Sequence, residues 1–519
     1  MRTLKILFVW LGRIPIRFTA TFVALSFLWL FGLSRLVNAG DVRTLADLLL
    51  RATGLTQRLA AWPLVRIGLD GIVVLLLLGL GILLAYNLSA WIYRRIRTRP
   101  RLAVTGPVEP APGEGAPLDR FQRIGIILAG GGAKGAYQAG ALKAIHEFLE
   151  RHGALDRVRM IAGTSIGSWN AMFWLADLVK SPDDRTPSAH EQWWRSIGID
   201  RIIEFDTYVP LRRNHFLRPT PWREAFRQIF AETPAVRERL ARLYAAGGNA
   251  GGDPPVHFYF TRSNVEAGHL EFATNWTSLR DLYRSKLGAS DRTLREPVMP
   301  PDRYEIIEGD DLADNLTRTE RAVFASMDLP PLFPYVNIKV HREEWFEDGG
   351  VVENLPVRFG TELEGCDLLF VLPLNASFAE PVDHASVARR LFRVMDVRQG
   401  VMERGALKMV YLYNELAALR HQVATLDAAA APQPEHQLAD TALRRKHAPV
   451  SVFAICPQAP LAIGTTEFWK PVEAGSAFDL MYSATRYELE ENFERDTDPS
   501  WIRMTLVGPQ GERTYVDDF

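Results

Sequence analysis

Cysteine is almost missing from this 519-residue chain: only Cys366 and Cys456 occur, which excludes a disulfide framework and a cysteine-rich metal site. Each lies in an apolar run, where a free thiol is expected to serve as a small buried hydrophobe. An excess of one charge is missing too. Lys and Arg number 60 against 61 Asp and Glu, so nothing in the global balance would hold a polyanion. No zinc-finger or RNA-motif spacing occurs either, and nucleic acid is not an expected partner. None of the 11 histidines stands in H-x-x-x-H or H-E-x-x-H, so no catalytic metal and no cofactor is expected. The acidic patch Glu308 to Asp314 lacks the spacing of a calcium loop and is expected to be a solvated turn. No internal repeat is visible.

Apolar residues are abundant but unevenly spread. The run Phe18 to Leu33 is uncharged between Arg17 and Arg35, and Gly71 to Tyr93 carries no charge at all. A helix needs about 20 apolar residues to cross a bilayer, so two transmembrane helices are expected at about 16–35 and 70–93 within a membrane anchor spanning 1–99. Arg2, Lys5, Arg13 and Arg17 precede the first run, and Arg94, Arg95, Arg97, Arg99 and Arg101 follow the second. The positive-inside rule then leaves both ends cytoplasmic, in a multi-pass protein of a bacterial inner membrane. A signal peptide cut near Val37, Asn38 and Ala39 is the rival for the first run, and it too leaves the C-terminal bulk in the cytoplasm.

Residues 100–119 are rich in Pro and Gly without periodicity, as in a tether. A core at 120–376 follows, with an Arg- and Trp-rich insertion at about 181–256, then a helical region with final strands at 377–519. Within the core, Ile124 to Ala129 and Val158 to Ala162 have the character of short buried strands. Each leads through glycines into a helical pattern, Ala136 to Arg151 and Ser168 to Val179. Strand, helix, strand, helix with short joints predicts a parallel sheet covered by helices. Further strands are expected at Phe258 to Thr261, Tyr335 to Val340 and Leu368 to Leu374, a long helix from about Ser386 to Leu426, and surface loops at Ala245 to Pro255 and Asp427 to Pro434.

Three motifs carry chemistry. The first, Gly130-Gly131-Gly132-Ala133-Lys134-Gly135, joins a strand to a helix. Consecutive glycines there bring unobstructed N–H groups toward a phosphate or a developing oxyanion. Read literally it also fits the dinucleotide pattern G-x-G-x-x-G. The second, Gly163-Thr164-Ser165-Ile166-Gly167, fits G-x-S-x-G between a strand and a helix, a turn that holds a serine hydroxyl above the sheet edge. Parallel strands place both loops on one edge, and a nucleophile beside an N–H array suits acyl transfer, whereas a dinucleotide site would leave Ser165 unexplained. The third, Asp348-Gly349-Gly350, offers a carboxylate at a tight turn. A Ser…Asp…His triad would instead draw on His384, His421, His436 or His447, none of which has a recognisable flanking pattern.

With these motifs in this order, the sequence resembles the bacterial-type patatin-like phospholipase family. Ala325-Ser326-Met327-Asp328-Leu329-Pro330 through Phe333-Pro334 is similar to the family's A-S-x-x-x-P-x-x-F stretch, and Asn354 with Pro356 to its N-x-P. The resemblance implies an α/β fold of three layers, α/β/α, around a mainly parallel central sheet. It also implies a Ser-Asp dyad of Ser165 and Asp348, and an oxyanion hole drawn from the amides of Gly130, Gly131, Gly132 and Ala133. Lys134, Gly135, Gly163, Gly167, Gly349 and Gly350 would support these motifs, with Lys134 standing where the family more often has arginine. The implied activity is hydrolysis of fatty-acyl esters of membrane lipids at the bilayer. An acyltransferase built on the same acyl-enzyme, a nucleotide-binding protein and a non-catalytic membrane scaffold are the alternatives. Neither the head group nor the oligomeric state is legible.

Overall fold

Short apolar runs such as IGIIL and LLFVL predict strands buried on both faces, and the computed structural model places them at the middle of an 11-stranded sheet. The structure describes residues 118–519 except 184, 206–214, 216, 246–254, 280–302, 340–342, 376–386, 430–449, 459–462, 495–501, 509 and 517–519. Before residue 118 it describes only 24–26, 29, 78–82, 84–85 and 88.

The strands are β1 (Ile124–Leu128), β2 (Val158–Gly163), β3 (Glu204–Phe205), β4 (Leu217–Arg218), β5 (His257–Asn264), β6 (His269–Thr274), β7 (Tyr304–Ile306), β8 (Val336–Lys339), β9 (Glu343–Asp348), β10 (Leu368–Leu372), β11 (Ser451–Pro457), β12 (Ile502–Val507) and β13 (Arg513–Val516). The helices that matter are α1 (Gly135–Arg151), α2 (Ile166–Leu175), α3 (Ala189–Arg195), α4 (Thr220–Phe226), α5 (Pro234–Ala245), α6 (Leu312–Met327), α7 (Val387–Ala429) and α8 (Pro471–Glu494). Strand order is β13-β12-β11-β10-β1-β2-β5-β6-β7. From β12 to β5 every neighbour is parallel, while β13, β6 and β9 are antiparallel additions. β3 and β4 form a separate ribbon.

Side chains alternate across a strand, so a sheet covered on both faces needs two cores. Ile124, Ile126 and Leu128 belong to one, with residues of α1, α2 and α8; Ile127 and Ala129 belong to the other, with Leu407 and Val410 of α7. The result is three layers. Cys366 and Cys456 form no disulfide and are buried within the second core, and burial pushes the Cys366 thiol up.

The expected helices and strands occur with shifted ends: α2 starts two residues before Ser168 and stops at Leu175, and β5 runs on to Asn264. Leu118 is fully buried and its carbonyl accepts from Arg157 Nη1 at 2.7 Å, so the folded domain starts inside the expected tether. The Arg- and Trp-rich insertion contributes core as well as cover. Trp193 of α3 and Trp222 of α4 lie with ring centroids 4.9 and 5.5 Å from that of Trp169 in α2, contacts worth about 0.5–1.5 kcal/mol each beyond simple burial. In the acidic patch, Asp311 accepts from the amides of Ala313 and Asp314 and so caps α6.

The N-terminal unit, Met1–Arg101 with Thr207–Val209, is separate. Its described residues are helical, and a Cβ on Gly81 would lie 1.8 Å from Trp29 Nε1, so the two apolar runs touch there. Among the described residues no helix is long and apolar enough to cross a membrane. Most of both runs, and residues 100–117 of the tether, lie outside the described residues, as do most of the two expected loops.

Candidate active site

Parallel pairing sets the geometry. β2 ends with Gly163 beside Phe260 of β5; β9 then takes the same side of β5, antiparallel, and its last residue Asp348 pairs with Arg262. The turn after β2 and the end of β9 therefore approach head-on in one lane of the sheet. Ser165 lies in the first and Asp348 in the second.

Ser165 has φ 53 and ψ −123, a conformation that costs an L-residue roughly 1–3 kcal/mol and persists only where the surroundings impose it. Several contacts do so. The Ser165 amide donates to Ser326 Oγ at 2.8 Å, and Ser168 Oγ lies 2.8 Å from Gly163 O and 2.9 Å from Ser326 Oγ. The flanking glycines are required by close approach: a Cβ on Gly163 would lie 2.5 Å from Ser168 N, and one on Gly167 2.4 Å from Leu128 O. The same stretch that supplies Ser326 also holds β9, because the Asp348 amide donates to Asp328 O at 3.1 Å.

Ser165 and Asp348 line one pocket, and Gly350 N donates to Asp348 Oδ1 at 2.7 Å. Burial pushes the Asp348 carboxyl up to about 7, and the neighbouring Ser165 side chain and Gly350 amide only partly offset it. Burial likewise holds Asp328 up to about 8, with the neighbouring Asp348 charge adding to it. Gly349 passes so close to β5 that a Cβ would lie 2.4 Å from Thr261 Oγ1.

The four amides expected in the glycine loop divide into two kinds. Ala133 N donates to Thr465 O at 2.8 Å, and Gly130 N to Asn354 O at 3.4 Å. These two are committed to holding the loop. The amides of Gly131 and Gly132 have no acceptor among the described residues, and both residues line one pocket with Ser165. The candidate oxyanion hole therefore narrows to Gly131 and Gly132. Gly132 has φ +58, and a Cβ there would lie 2.0 Å from Thr465 O; one on Gly135 would lie 2.4 Å from Ile166 Cγ1.

Lys134 is buried and ties the loop to the C-terminal region: Nζ donates to Asn375 Oδ1 at 3.0 Å and to Asp396 Oδ1 at 2.9 Å, and Asp396 also accepts from Thr465 Oγ1 at 2.9 Å. Glu403 accepts from Asn354 Nδ2 at 2.5 Å and Asn375 Nδ2 at 2.6 Å, and burial pushes it up to about 7. Asn354 Nδ2 also donates to Gly130 O at 3.1 Å. Asp396, Gln399, Glu403 and Thr465 went unnoticed in the sequence. For two of them a signal exists, since Gln399 and Glu403 interrupt, at i and i+4, the face of α7 that continues apolar with Leu407 and Val410.

The pocket takes in about 580 Å³ of space, its open, solvent-filled mouth included. Its polar lining is Ser165, Asp348, Gln399, Thr465, Thr466 and the backbone of Gly131 and Gly132. Its walls are Ile203, Leu217 and Trp222 from the insertion, Met327, Leu329, Leu332 and Phe333 after α6, and Phe468. No histidine lines it among the described residues. The side chains of His384, His421, His436 and His447 lie outside the described residues. Such a site can attack a carbonyl, stabilise the resulting oxyanion and take an apolar group against its walls.

Ser165, at φ 53, and the buried Asp348 thus share one pocket at the edge of a three-layer α/β/α sheet. Residues 126–359 match the family model described as Patatin-like phospholipase, and the match contains Ser165, Asp348 and all three glycine motifs. No curated protein matches the chain. Among solved structures, VipD from Legionella pneumophila is 13% identical, the alignment covering 71% of this chain and 67% of that one at a TM-score of 0.30, too low to carry an argument.

Proposed function

We propose that this protein is a membrane-anchored serine lipid acyl hydrolase that works through a Ser165–Asp348 dyad. The observation that carries the reading is that Ser165 and the buried Asp348 carboxylate line one pocket with two glycine amides that have no acceptor among the described residues. Ser165 Oγ attacks the ester carbonyl and its proton passes to Asp348. The oxyanion forms against the Gly131 and Gly132 amides, each such donor being worth about 3–4 kcal/mol in the transition state. Collapse expels the alcohol, which takes the proton from Asp348 and leaves acyl-Ser165; water then reverses the sequence.

Two features favour a lipid. The pocket walls are apolar, which suits an acyl chain. The outer face of α7 also exposes Val394, Val397, Val401, Met409, Leu412, Leu416 and Leu419, with Arg398, Arg404 and Lys408 among them, on the helix that lends Gln399 to the pocket. Exposed apolar residues interleaved with cations suit an anionic bilayer surface. The apolar runs at 16–35 and 70–93 supply the anchor in this reading, with the catalytic domain on the cytoplasmic side.

Labelling the detergent-solubilised full chain with a fluorophosphonate probe tests the chemistry. One modified peptide containing Ser165 is expected, with loss of labelling and of ester hydrolysis in Ser165→Ala. Undiminished hydrolysis by that variant would refute the reading. Product analysis with and without an added alcohol separates hydrolysis from acyl transfer.

A further inference from the structure

The dyad explains how Ser165 is acylated but leaves open what holds the second nucleophile. Resting on the acyl-enzyme reading above, we infer that Gln399 of α7, outside the stretch that matches the family model, holds the water that deacylates the enzyme. Gln399 is 6% exposed and lines the pocket with Ser165 and Asp348. Its Oε1 is buried without a hydrogen-bond partner among the described residues, and so is Oδ1 of the neighbouring Asn354. The three groups converge around Gly350: a Cβ built there would lie 2.7 Å from Asn354 Oδ1, 3.1 Å from Asp348 Oδ1 and 3.2 Å from Gln399 Nε2. Buried acceptors are ordinarily paired, and those that are not point to a ligand or to chemistry. A primary amide presents an acceptor and a donor whichever way it is turned.

A water molecule in this corner has two hydrogens to place. One goes to the Asp348 carboxylate and the other to the Gln399 amide oxygen, which leaves a lone pair directed at the acyl carbonyl carbon. The water oxygen then bonds to that carbon as its proton moves to Asp348. The tetrahedral intermediate collapses by breaking the bond to Ser165 Oγ, which takes the proton back from Asp348, and the free acid departs. No other reactant is needed. Positioned this way, the residue contacts the reacting water and is catalytic in the second half-reaction alone.

The test uses the full chain and a p-nitrophenyl ester, whose leaving group departs without a proton and so isolates deacylation. In Gln399→Met the burst of p-nitrophenol is expected at the wild-type rate, while steady-state turnover falls ~10- to 100-fold, the effect of losing one or two oriented hydrogen bonds. Acyl-Ser165 should accumulate by intact-protein mass spectrometry. Hydroxylamine, which attacks without a base, should release it as fast as from wild type. The inference is overturned if turnover is unchanged or if burst and steady state fall in the same proportion. Failure of both Gln399→Met and Gln399→Leu to label with the fluorophosphonate probe also overturns it, since a group serving deacylation alone is not needed to assemble the site. Absence of a burst and of labelling in the wild-type protein would instead remove the acyl-enzyme reading itself.

Discussion

In the proposed dyad Asp348 must be ionised to accept a proton, so the position of its carboxyl sets the acid limb expected of the activity profile. Burial lifts that carboxyl from 3.8 to about 7. Only about a tenth is then ionised at pH 6 and about a hundredth at pH 5, and kcat/KM should fall in proportion below neutrality. The assay is hydrolysis of a soluble short-chain p-nitrophenyl ester from pH 5 to pH 9, with Ser165→Ala as the blank. Glu403 is also pushed up to about 7, so ownership of the limb needs a control. In Glu403→Gln the limb should remain near 7. A flat profile down to pH 5, as an ordinary carboxylate would give, refutes the argument, as does a limb that disappears with Glu403.

The same shift has a consequence for stability with a definite sign. A carboxyl whose folded value lies above its unfolded one favours folding most when protonated; that contribution is full below about 4 and is lost as pH rises through about 7. A rise from 3.8 to about 7 corresponds to on the order of 4 kcal/mol, so Asp348→Asn should unfold at higher denaturant concentration than wild type at pH 8, with little difference at pH 4.

Two further substitutions probe the turns. Ser165→Gly should be more stable than Ser165→Ala by about 1 kcal/mol in urea unfolding, because glycine tolerates φ 53 and alanine keeps the strain, while both variants are inactive. Gly132→Ala should lose ~1–3 kcal/mol and most activity, since its Cβ would meet Thr465 O at 2.0 Å and displace an oxyanion donor; thermal unfolding and burst kinetics read the two effects separately.

Local chemistry was legible where local rules govern it. The apolar run of β1, the glycines behind it and the serine turn after β2 each advertise themselves within a few residues, because a buried parallel strand must be continuously apolar and a tight strand-to-helix turn must be small. The partnership of Ser165 with Asp348 is different in kind. It depends on β9 replacing β2 alongside β5, a pairing between Asp348 and Arg262 that no local pattern encodes; only the order of three motifs hinted at it. The same holds for the division of the glycine-loop amides. Four look equivalent in sequence, and what separates them is two distant carbonyls: that of Asn354, which takes Gly130, and that of Thr465, more than 300 residues away, which claims Ala133 and closes over Gly132.

The polar residues of α7 show where such reading stops. Gln399 and Glu403 lie one turn apart on a face that must be buried for the helix to pack, so their polarity opposes the packing that Leu407 and Val410 provide. A buried carboxylate or amide persists against that cost only where something satisfies it. Glu403 is satisfied by Asn354 and Asn375, which tie it to Gly130 O and so to the loop beneath the oxyanion site. Gln399 Oε1 has no partner among the described residues. Of two similar interruptions in one apolar stripe, the first therefore braces the glycine loop and the second, in the role proposed above, faces the reactants, a distinction that follows from hydrogen-bond accounting and not from the pattern in which both occur.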